Sequence, residues 1–149
     1  MKSLKIAAGW LLGTFILLQF VRIDMPPPPK AEPEEEIEAP SEIAAILERS
    51  CYDCHSNHTR WPWYSHISPI SLEIKSHVKN GRNWLNFSIW KSYDEEKRRK
   101  LYEGIARSVE WKMPPADYML LHKEARLSPK ERKALKEWAM SHLEEEKRR

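Results

Sequence analysis

Glycine is scarce, with four in 149 residues, and no Gly-x-Gly-x-x-Gly or Walker-type string occurs. Phosphate-cradling loops and the nucleotide chemistry built on them are therefore excluded. Two cysteines are too few for the framework of a disulfide-stapled domain. No segment sustains the period-two alternation of a half-buried strand. A dense basic stripe is also missing, so no nucleic-acid partner is expected. The length fits one small domain with appendages.

Charge is present but unevenly spread. Residues 31–42 hold six glutamates and no basic residue, whereas residues 43–149 hold 21 basic against 15 acidic. That excess favours an acidic partner or anionic lipid headgroups. The mixed run at residues 94–100 reads as a solvated helix face.

Lys2 and Lys5 precede an apolar stretch from Ile6 to Val21, with Arg22 and Ile23 at its far end. As a helix, Ile6 to Ile23 rises about 27 Å, enough for a bilayer if Arg22 snorkels to the headgroups. No small-x-small cleavage site follows, which favours an uncleaved signal anchor over a cleaved signal peptide. Residues 1–23 are thus expected to cross the cytoplasmic (inner) membrane once, with the lysines in the cytoplasm and the remainder on the periplasmic side. Residues 24–40, rich in proline and glutamate, are expected to be an extended polyproline II linker with a reach of roughly 50 Å.

Residues 41–149 are expected to form an all-α domain. Ile43, Ile46, Leu47, Cys51 and Cys54 recur at spacings of three and four, so a helix capped by Ser41 runs into the cysteines. A second helix covers Leu72 to Asn80 and stops at Gly81 in the C′ position. A third opens near Asp94, carries Leu101, Ile105 and Val109, and ends before Met113. In the last, Ser128, Pro129 and Glu131 combine an N-cap, a first-turn proline and a capping box, and Leu135, Trp138 and Ala139 form the buried stripe.

The motif that carries chemistry is Cys51-Tyr52-Asp53-Cys54-His55, a Cys-x-x-Cys-His pentapeptide that marks attachment of a c-type haem. On one helical turn two sulfurs reach the two porphyrin vinyl groups while the adjoining imidazole reaches the iron. Three rival readings are weaker. A thioredoxin-like redox pair wants a βαβ context, a disulfide leaves His55 unexplained, and a zinc site lacks further ligands of suitable spacing.

Several strings then resemble, in the same order, those of the haem-binding domain proteins of the wider cytochrome c-like group. They are the pentapeptide with Ser56, residues 62–65 (Pro-Trp-Tyr-Ser), residues 77–82 from His77 to Arg82, residues 85–90 from Leu85 to Trp90, and Met113-Pro114-Pro115. The stretch from Tyr118 to Trp138 completes them. The resemblance implies a single haem c, covalently bound through Cys51 and Cys54, in a cytochrome c-like helical fold.

Met113 is the first choice for the sixth iron ligand, because it follows His55 and precedes the terminal helix in the order that similar cytochromes show. Its neutral thioether stabilises ferrous iron. His77 and His122 are the reserve candidates. Trp61, Trp63, Trp84, Trp90 and Trp111 offer aromatic surface for a porphyrin, with core packing as their default, and Arg82 and Asn86 are candidates for its propionates. The expected function is one-electron transfer to a redox partner rather than enzymatic turnover. The alternative is a haem-based sensor or peroxidase-like enzyme with a labile sixth position.

Overall fold

A computed structural model describes residues 2–21, 25 and 27–148, with the side chains of 145–147 excepted. Among the described residues there are helices and 3₁₀ turns and no strand, so the chain is all-α as expected. The α-helices are α1 (Lys2–Leu18), α2 (Ser41–Ser50), α3 (Tyr52–His55), α4 (Ile70–Trp84), α5 (Glu95–Trp111), α6 (Tyr118–Leu121) and α7 (Pro129–Lys147).

The core is built where amphipathic stripes meet. Leu101, Ile105 and Val109 recur at intervals of four on α5, which packs most extensively against Leu135, Trp138 and Ala139 of α7. Ile43, Ile46 and Leu47 of α2 and Phe87 and Trp90 of the 3₁₀ segment Phe87–Ser92 complete the cluster. Trp90 meets Tyr102 edge to face at 4.8 Å, and Tyr102 meets Trp138 at 5.6 Å, so Trp90 belongs to the core. The expected capping box opens α7. The Ser128 backbone N–H donates to Glu131 Oε2 at 2.8 Å, and the Glu131 N–H donates back to Ser128 Oγ at 3.3 Å.

Four expectations change. The helix entering the cysteines breaks at Cys51 (φ −127°, ψ −34°), and Ser41 is its first residue rather than a side-chain cap. Helix α4 runs on to Trp84 instead of stopping at Gly81, which has no positive φ. Gly81 is there for closeness: a Cβ on it would collide with the Cys54 carbonyl oxygen and stand 3.0 Å from its carbon. The linker is not free throughout, because Pro33–Glu35 forms a 3₁₀ turn and Ile37 enters the core, its N–H donating to the Phe87 carbonyl at 3.0 Å.

Finally, the expected spanning helix Ile6–Ile23 is α1, which begins at Lys2 and ends at Leu18; Arg22, Ile23 and Asp24 lie outside the described residues. At about 1.5 Å per residue it measures about 25 Å. No helix among the described residues is long and apolar enough to cross a membrane. None of the residues of α1 is buried. Beyond its end the Gln19 amide pairs with Ser68, donating to its carbonyl and accepting from its N–H, both at 3.0 Å.

Candidate functional site

Helix α3 is a single turn, and its placement depends on what stands behind it. Asp53, 9% exposed, accepts from the Arg60 backbone N–H (3.0 Å), from Arg60 Nε (3.1 Å) and Nη2 (3.2 Å), and from the Tyr118 hydroxyl (2.7 Å). Burial alone raises the Asp53 carboxyl, but the Arg60 and Tyr118 hydrogen bonds outweigh it and hold the group below its ordinary value. Ser56, fully buried, donates to the Tyr52 carbonyl and accepts from the His58 N–H. The motif is therefore a rigid turn held from outside by its own x residues and by the segment that follows.

In front of that turn lies a cavity of about 330 Å³, within the range of small-molecule sites. Cys51, just before α3, and Cys54 and His55 of α3 line it together with Leu85 and Phe87, with Leu101, Ile105 and Val109 of α5, and with Met113, Pro114 and Tyr118. His55 Nδ1 donates to the Leu85 carbonyl at 3.1 Å. That bond places the ring proton on Nδ1 and leaves the Nε2 lone pair available to a metal. Burial lowers the His55 imidazole below its ordinary value, against the opposing Leu85 and Gly81 carbonyls, which favours the neutral ring that ligation requires.

No disulfide joins the two cysteines. Burial, with the neighbouring Cys54 next, pushes Cys51 up to about 12; burial and then Asp53 and Asp117 push Cys54 up to about 11. A redox-active dithiol needs the opposite shift.

Of the sequence-derived candidates, Cys51, Cys54, His55, Met113 and His77 line this one cavity, as does Trp84. The others lie elsewhere. Arg82 donates from Nε to the Ser56 carbonyl (2.9 Å) and from Nη2 to Thr59 Oγ1 (2.8 Å). Asn86 is 1% exposed, donating to Asn57 Oδ1 and accepting from the Ser88 N–H. Both residues brace the loop behind α3. Trp63 is exposed on the 3₁₀ turn Trp63–His66, Trp111 and Trp61 are exposed, and Trp90 is core. His122 is taken up by Tyr64, at 2.5 Å from its hydroxyl, and by Glu124, while stacking on Tyr118 at 4.3 Å.

Three features were not read from the sequence: the Leu85 carbonyl, the close approach of Gly81, and the Asp53–Arg60–Tyr118 cluster. Each joins residues from separate segments, and only the placing of an acidic residue inside the motif hinted at one of them.

The donor set suits a haem: two thiols one turn apart, a neutral imidazole with a free lone pair, a thioether, and apolar walls around them. The hydroxyl oxygen of Ser50, also in the wall, is buried without a hydrogen-bond partner. No curated protein and no solved structure matches the chain. The model of the haem-binding domain family matches residues 13–141, and the chain belongs to that family.

Proposed function

We propose that this haem-binding protein carries a covalent c-type haem and transfers single electrons, with His55 and Met113 as the residues that would hold its iron, from a membrane-anchored position outside the cytoplasm. The observation that carries the reading is the meeting of Cys51, Cys54, His55 and Met113 around one apolar cavity, with His55 Nδ1 tied to the Leu85 carbonyl. When bound, the haem supplies an iron that cycles between ferrous and ferric states.

The chain's own residues do the rest. Cys51 and Cys54 would hold the macrocycle through their sulfurs, and the Leu85 carbonyl orients His55 and strengthens it as a ligand. Met113 would offer its thioether to the iron, which favours electron transfer over substrate binding. Phe87, Leu101, Ile105 and Val109 keep water away. The raised thiols argue against a thiol–disulfide oxidoreductase. The basic excess of residues 43–149 favours an acidic redox partner, met transiently and weakened by salt. The apolar residues and the two lysines of α1 support the anchor.

The test is expression with haem-maturation machinery. The protein is expected to give a haem-stained band after denaturing electrophoresis, and Cys51→Ser with Cys54→Ser to abolish it. Met113→Ala is expected to remove the weak long-wavelength ferric band and produce a high-spin spectrum. An unchanged spectrum would displace Met113 and raise the sensor or peroxidase alternative. Absence of added prosthetic mass in protein from such a host would overturn the reading.

A further inference from the structure

One constellation at the rim of the cavity is left unused by the haem ligands. Glu73 and His77 stand one turn apart on α4, and Asp117 lies four residues beyond Met113, in the loop leading to α6. His77 Nε2 is 3.5 Å from Glu73 Oε1, and His77 Nδ1 is 3.8 Å from Asp117 Oδ2. One ligand atom from each of the three residues lies within 4.8 Å of the other two. A neutral imidazole donates from one nitrogen only, so one of these carboxylates then faces a lone pair. A positive charge among them, proton or metal, removes that conflict.

We propose that Glu73, His77 and Asp117 bind a divalent first-row transition cation of the zinc type. One imidazole nitrogen and two carboxylate oxygens suit zinc and leave a fourth position for water. Calcium and magnesium prefer all-oxygen shells, which His77 does not offer. The i, i+4 spacing on α4 presets two ligands on one helical face. At metal–ligand distances of about 2.0–2.2 Å, tetrahedral ligands stand roughly 3.4 Å apart, so the three must close by up to about 1.4 Å. Glu73 and Asp117 are both exposed, and side-chain rotation covers that movement. Because Asp117 shares a loop with Met113, the bound cation ties the Met113 loop to α4.

The assignment stands independently of the electron-transfer reading. Its test is calorimetric titration of the full-length, haem-loaded protein with zinc alone. Saturable one-to-one binding is expected. His77→Ala is expected to weaken it at least about tenfold, since loss even of outer-shell partners costs about that much. Glu73→Gln and Asp117→Asn are expected to weaken it with the haem absorption spectrum unchanged. The double variant His58→Ala/His142→Ala, which removes imidazoles remote from the cluster, is expected to bind as the parent does. No saturable binding, an affinity indifferent to His77→Ala, or a haem spectrum altered by Glu73→Gln or Asp117→Asn overturns the site. So does a haem spectrum altered by His77→Ala, which would move that imidazole to the iron.

Discussion

The two sides of α5 make a useful contrast. Toward α7 the helix meets a closed apolar interface in which Leu135 and Ala139 are fully buried and Tyr102 is wedged between Trp90 and Trp138. Toward α3 and α4 its residues form the wall of a cavity, and the opposite side is held by hydrogen bonds outside the motif. The first side stabilises itself by burial, whereas the second is shaped for something apolar to complete it. Stability and haem retention should therefore be separable by mutation.

The largest expected effect on stability comes from the closed side. Leu135→Ala should cost about 2–5 kcal/mol in chemical denaturation while leaving covalent haem in place. Loss of the haem stain would show that the two sides are one cooperative unit. Gly81→Ala comes next, at about 1–3 kcal/mol, because its methyl group meets the backbone of Cys54 and forces α3 and α4 apart. Here the haem spectrum should change as well.

Smaller is Glu131→Gln, which weakens the α7 capping box and the 2.7 Å bond from Arg49, for about 1 kcal/mol. The Ser128 backbone bond, and then Arg49, hold the Glu131 carboxyl down at about 2, against the ordinary 4.5. Its contribution is complete above pH 4.5 and disappears as pH falls through about 2. The variant should show a shallower acid limb in stability measured against pH. Smallest is Gly104→Ala on α5, where a Cβ meets nothing closer than Trp84 Nε1 at 4.0 Å; a gain of about 0.5–1 kcal/mol is expected from helix propensity in chemical denaturation of the haem-free chain, since Gly104 lines the cavity.

Local rules made much of this legible. The pentapeptide, the stripes of α5 and α7 and the capping box at Ser128 all depend on residues within a turn or two of each other, and the structure has them where the spacing puts them. Gly81 was misread because helix-ending glycines are common, whereas its actual constraint comes from Cys54, far away in the chain. Arg82 and Asn86 have the right chemistry for anionic groups, and their bonds to the loop at residues 56–59 join segments that sequence spacing does not connect. For Ile37, surrounding glutamates and prolines hid a residue that packs like any other core isoleucine. Composition averages over a segment, and burial acts on single side chains.

Ile37 carries a mechanical consequence. The segment past Glu32 is committed to the globule, so the stretch between it and the end of the N-terminal helix at Leu18 is 14 residues, with a reach of at most roughly 43 Å at about 3.1 Å each. The Asn57 side chain takes in part of that stretch by donating to the Pro29 carbonyl at 2.8 Å. A leash this short limits how far the globule can swivel, and with it the directions from which another molecule can approach.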